Sequence, residues 1–129
     1  MLKHIFSSWG LIILSALLDS YAAFIVKTQF NKLGKLDYSS WQGIITYISS
    51  FVQSPLLITA LIAFVSAPGL WFLALNRIDL SVGYPILVGF HLLFVLIFGV
   101  ALLQENLDWN KITGTMLIFM SLYFFYRSK

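Results

Sequence analysis

The chain has no cysteine, so neither a disulfide nor thiolate chemistry is open to it. Charge is scarce. Only 10% of residues are charged, with eight Lys and Arg and five Asp and Glu. A soluble domain carries about 25%. The acids and histidines fall in no cluster with metal-ligand spacing, and no two carboxylates pair within an apolar run. No serine has a base beside it in a nucleophilic arrangement. No enzyme, metal or cofactor is therefore expected. The net charge of +3 comes from isolated charges at segment ends, which points to no nucleic-acid partner. There is no 20–50-residue repeat.

What the chain has is apolar length. At 60% hydrophobic residues and a mean hydropathy of +0.90 it reads as one integral membrane domain over residues 1–129. Spans are expected over about 5–26, 55–75, 80–103 and 109–126. Each has about the 20 residues that a 30 Å hydrocarbon layer requires. Lys3 and His4 before the first run imitate a signal peptide. The apolar run continues to Val26, too long for that, so it is read as a retained span. Lys27 to Ser40 is polar and reads as a loop, with Lys27 snorkelling to the interface.

Between the first two spans lies a segment of different character. Trp41, Ile44, Ile45, Ile48, Phe51 and Val52 recur at the 3.6-residue period, with Gln42, Thr46, Ser49 and Ser50 opposite. This predicts an amphipathic helix over about 40–53, capped by Ser39 or Ser40 and lying in the interface plane. Packing on a partner subunit is the other reading. The expected fold is all-α, with four transmembrane helices and this extra interfacial helix.

One acid, Asp19, interrupts the first run. A charge at that depth is expensive, roughly 2.5–3.5 kcal/mol on insertion scales. Ser15, Ala22 and Ala23 share its helical face, and small residues favour close helix contact. Asp19 therefore faces other helices and marks a proton or substrate site lined by Ser15, Ala22 and Ala23. The plainer alternative is an acid held neutral by a local hydrogen bond. Pro68 interrupts the second span and should bend it. Tyr84 and His91, seven apart, share a face of the third span. His91 is either a proton relay or cargo ligand, or an inward histidine satisfied by a helix carbonyl. Trp71 is either packing or chamber lining. Gly114 and Ser121, seven apart, mark a helix seam in the fourth span. Glu105 and Asp108 sit in a turn and read as solvated.

Basic residues do not fix the orientation. Lys3, Arg77, Arg127 and Lys129 stand on the side of the termini, and Lys27, Lys32, Lys35 and Lys111 on the other. Either the chain inserts both ways and forms an antiparallel pair, or a partner or the insertion machinery sets one orientation.

The ordered set Ala74-Leu75, Ile78, Gly83-Tyr84-Pro85-Ile86, Gly89, Leu107-Asp108 to Ile112, Gly114 and Met116-Leu117-Ile118 resembles the small multidrug resistance proteins. These are EmrE-like members of the drug/metabolite transporter superfamily. Asp19 and Lys27 match that family's first-span acid and lysine. The resemblance implies an antiparallel dimer around a chamber in the bacterial inner membrane. It gives Asp19 proton or substrate binding, Tyr84 chamber lining, Gly89 helix flexibility, and Gly114 with Ser121 the dimer seam. Leu87 stands where a chamber tryptophan is expected, the acid is Asp rather than Glu, and a glycine near the third-helix bend is His91. Tyr84-Pro85 and the amphipathic insert look more like ArnE/ArnF-like subunits, which translocate undecaprenyl-linked aminosugars.

Three functions follow as expectations. The first is proton-coupled exchange of a small cationic or amphiphilic substrate by a homodimer. The second is flipping of a lipid-linked aminosugar, alone or with a related small subunit, with Lys27 or Arg77 on the phosphate. The third is a non-transporting accessory subunit.

Overall fold

The computed structural model describes residues 7–35 and 39–127. The expected span start at Ile5, and Lys3, His4, Asp37 and Lys129, lie outside them. Five helices follow in order: α1 (Ser8–Leu33), α2 (Trp41–Val52), α3 (Pro55–Leu75), α4 (Leu80–Ala101) and α5 (Trp109–Arg127). No strand occurs among the described residues.

The all-α expectation holds among the described residues, with a correction to α1 and a narrower count of clear spans. First, α1 does not end at Val26. It takes in Lys27 to Leu33, half of the expected loop, because Lys27, Gln29 and Lys32 are good helix formers. It stops at Gly34, whose φ of 77° lies in the region that glycine tolerates, and whose N–H donates to the Phe30 carbonyl at 3.0 Å. Lys27 thus sits inside a helix rather than at its end. Second, α1, α3 and α4 are long and apolar enough to cross a membrane, but α5 falls short by composition. Asn110 and Lys111 at its start and Tyr123, Tyr126 and Arg127 at its end dilute its hydropathy.

The central element is α1, which packs on both α3 and α4. Its contact with α3 is close because α3 turns Ala60, Ala63, Ala67 and Ala74 inward, all buried. Alanines at helical spacing let backbones approach and gain dispersion contacts on both sides. The facing side of α1 presents Ser15, Ala16, Ala22 and Ile25, also buried. Ile12 of α1 anchors a second cluster with Ala74, Val82 and Ile86, against which Trp71 and Leu122 rest. Pro68 stays inside an unbroken α3. Beside it, the Ser15 hydroxyl donates to the Ala67 carbonyl at 2.8 Å and ties α1 to α3. Packing by α5 is mainly on α4.

The amphipathic segment is helical within one residue of its expected ends, with Ser40 as its cap. Trp41, Ile45, Ile48 and Val52 all point away from the chain. Its inner side stacks on the extension of α1: the Phe30 ring lies 6.5 Å from Tyr47 and 5.2 Å from Phe51, centre to centre. The Tyr47 hydroxyl donates to the Gly34 carbonyl at 3.0 Å. Buried Gln29 donates to Ser54 at 2.7 Å, which fixes the joint between α2 and α3. Phe30→Ala removes both stacks, a loss of about 1–3 kcal/mol. The expected outcome is selective exposure of 39–53 to limited proteolysis in detergent, with α1, α3 and α4 still protected. Uniform protection would show that α2 does not depend on Phe30.

Candidate functional site

Asp19 lies on α1 between Ser15 and Ala22, both packed on α3, and meets α4 through His91. Its Oδ2 is 3.0 Å from Nδ1 of His91. Both side chains keep partial access, 45% for Asp19 and 34% for His91, so the pair is neither sealed nor fully solvated. The same His91 Nδ1 is 3.2 Å from the hydroxyl of Ser20, which is fully buried. That hydroxyl has one hydrogen and two carbonyls near it, Ala16 at 2.7 Å and His91 at 3.2 Å. The shorter contact takes the hydrogen, which leaves the Ser20 oxygen to accept from Nδ1–H. Thus His91 Nδ1 stands between two acceptors when it carries a proton, and only a protonated Asp19 carboxyl can donate to it when it does not.

The pair forms one wall of a cavity of about 350 Å³, at the low end of the range for ligand pockets. Ser15, Ala67 and Pro68 form its floor. Trp71 and Tyr84 close one side, ring centres 6.1 Å apart and tilted by 59°. Trp71 can lie there because position 83 is glycine; its ring comes 3.2 Å from where a Cβ would be. Leu87 also lines the cavity, and the aromatic surface absent there is supplied from α3 by Trp71. An indole face beside a carboxylate is suited to a cation or to a sugar ring. α3 contributes no ionisable group.

The expected residues separate into groups. Asp19, Tyr84, His91, Ser15, Trp71 and Pro68 come together around this cavity. Ala22 does not; it is buried against α3. Ala23 and Lys27 line a different cavity, of about 240 Å³, on the far side of Ser20. At Gly89 the structure places Leu122 of α5 over the helix. Among the described residues, nothing beyond its own helix turn lies within 4 Å of where a Cβ on Gly114 would be, although Gly114 lines a cavity with Leu92, Val95 and Leu96 of α4; Ser121 is exposed with its hydroxyl on the Ile118 carbonyl. Among the described residues, no three His, Cys, Asp or Glu side chains converge.

Two features escaped sequence reasoning. One is Ser20, beside Asp19 in the chain and yet turned to the His91 side. The other is Glu105, which is exposed in its turn as expected, yet lays its carboxylate over Gly99 of α4. Its Oε2 lies 3.0 Å from where a Cβ on Gly99 would be. A glycine six residues before an acid was the signal, legible only once the turn between them is known.

The profile of the EamA-like transporter family matches residues 5–127. A protein of Shewanella sediminis (strain HAW-EB3), described as a probable 4-amino-4-deoxy-L-arabinose-phosphoundecaprenol flippase subunit ArnF, is 34% identical over 126 residues. That match covers 88% of this chain and 83% of the relative. A protein of Enterobacter sp. (strain 638) with the same description is 36% identical over 67 residues, 51% of this chain. The matched stretch spans about half of that relative, 53% of its length. No solved structure gives a significant match.

Proposed function

Because this chain belongs to the EamA-like transporter family, we propose that it is a transport subunit that moves an amphiphile with an amino-bearing head group across the bilayer. The single observation that carries the reading is the Asp19–His91 contact of 3.0 Å at the wall of the 350 Å³ cavity. An ammonium group entering there meets a carboxylate in surroundings of low polarity, where the attraction is stronger than in water. Trp71 and Tyr84 offer faces for the rest of the head. A proton on Asp19 removes that attraction, so proton and cargo compete for one carboxylate and exchange follows. The relatives are described as flippase subunits for a lipid-linked aminosugar, and the same class of cargo suits this site.

The chain is an integral membrane protein, and the bacterial inner membrane is the setting this reading requires. In it α5 is the fourth span. Its 19 residues reach about 28 Å, close to the hydrocarbon thickness, and its polar ends sit at the two interfaces. The outward apolar side of α2 rests in the head-group layer. The exposed Ser121 side of α5 takes a second subunit, either another copy or a related small protein.

The test uses protein in vesicles of inner-membrane phospholipids and two labelled polyprenyl-phosphate sugars. One carries a free amine and the other the same amine acetylated. The expected result is at least tenfold faster movement of the free amine, since acetylation removes the charge that Asp19 reads. Equal rates, or rates no higher than in empty vesicles, would overturn the proposal.

A further inference from the structure

The second cavity is built with more care than a gap between helices requires. Lys27 stands on one side of it and Glu105 on the other, with Phe24, Val95 and Phe98 as apolar wall. Glu105 is held there by an unusual turn. Gln104 has a φ of 57°, rare for a residue with a side chain, and the Glu105 N–H donates back to the Gly99 carbonyl at 3.0 Å. The missing side chain at Gly99 leaves room for the carboxylate. Neither charge is spent within the chain. Among the described residues Asp19–His91 is the one ion pair, and neither Lys27 nor Glu105 has an opposite charge or hydrogen-bond partner on its side-chain head.

We propose that this cavity is a second binding station, for a lipid head group that carries phosphate and ammonium together. The Lys27 ammonium takes the phosphate and the Glu105 carboxylate takes the amine. At about 240 Å³ the space admits a head group and not a whole lipid. The apolar wall then guides the tail outward. Lys27 is eight residues beyond Asp19, about 12 Å along α1, so the station lies nearer one bilayer surface than Asp19 does. Buried Ser20 separates the two cavities, lining the second while its oxygen meets His91 of the first. An amphiphile with both charges is thus held at the station by two contacts before its amine alone reaches Asp19. The inference rests on the transport reading for the direction of travel, but the station stands on its own geometry.

The experiment measures lipid binding to the detergent-solubilised protein by native mass spectrometry. Three short-chain probes are used: phosphatidylethanolamine, its N-acetylated form, and phosphatidic acid. The wild type should prefer phosphatidylethanolamine by about tenfold, the worth of one charge-assisted contact. Glu105→Lys and Lys27→Glu should each abolish that preference. The double variant Lys27→Glu/Glu105→Lys keeps one charge of each sign and should regain it. All four proteins should elute alike on gel filtration, since both positions are exposed. Preferences unchanged by either single exchange, or a double variant no better than the singles, would overturn the proposal. So would binding indifferent to head-group charge. Transport is measured on the same preparations. A wild type that shows the preference yet moves no lipid would count against the transport function and leave the station in place.

Discussion

Asp19→Asn should leave the fold intact and abolish coupling between protons and cargo. Asparagine keeps the size of the side chain, and its amide oxygen can still accept from His91 Nδ1–H. Packing around Ser15 and Ala16 should be untouched, because the substitution conserves volume. What is lost is a charge and the ability to hold a proton. A charge-assisted contact is worth about 2 kcal/mol, or roughly thirtyfold in binding of an amino-headed amphiphile. The acetylated analogue should bind the variant as it binds the wild type. In vesicles with a proton gradient, uptake by the variant should no longer respond to the gradient, while passive exchange survives. Wild-type response to the gradient by Asp19→Asn would remove the carboxylate from the mechanism and leave the cavity as a passive passage.

Gly89→Val should unseat α5. A Cβ at this position would overlap Cδ1 of Leu122, with Cγ and Cδ2 at 3.1 and 3.2 Å. Leu122 belongs to the face by which α5 packs on α4, so admitting a side chain at Gly89 requires Leu122, and α5 with it, to shift. Overpacking of this kind costs about 1–3 kcal/mol. Thermal denaturation in detergent should show it, and so should weaker subunit association, if α5 carries the seam. Leu122→Ala opens the space, so the double variant should recover most of the loss, a coupling that distant sites do not show. The sequence suggested a different role for Gly89, helix flexibility. The two accounts part at the double variant: if Leu122→Ala restores nothing, room for α5 is not what this glycine provides.

The architecture was mostly legible, and the reason differs by element. Apolar runs of about twenty residues announced α3 and α4, and a 3.6-residue period announced α2, because burial and amphipathicity leave direct traces in composition. The length of α1 did not show. Polar residues read as loop, although lysine and glutamine extend a helix as well as they decorate a turn. The site was legible in part. Asp19 stood out because a charge in an apolar run is costly, and Tyr84 and His91 because seven residues make two turns. Their meeting with Trp71 was not readable, since it depends on how α3 and α4 lean on α1. Ala22 and Ala23 share a helical face with Asp19 on a wheel. A face of α1, however, is divided between α3 and α4, so neighbours on the wheel enter different spaces. Glu105 was hidden because the reversal at Gln104 has no sequence pattern of its own.

The extension of α1 has a consequence for how the protein meets its membrane. Twenty-six residues make a rod of about 39 Å, longer than a hydrocarbon slab of about 30 Å. Such a rod must lean or protrude. Clasped near its C-terminal end through Phe30 is the amphipathic α2. A thinner bilayer steepens the lean, and the clasp carries α2 with it. In the proposed membrane setting, bilayer thickness should therefore bear on the lean of α1, the helix that carries Asp19.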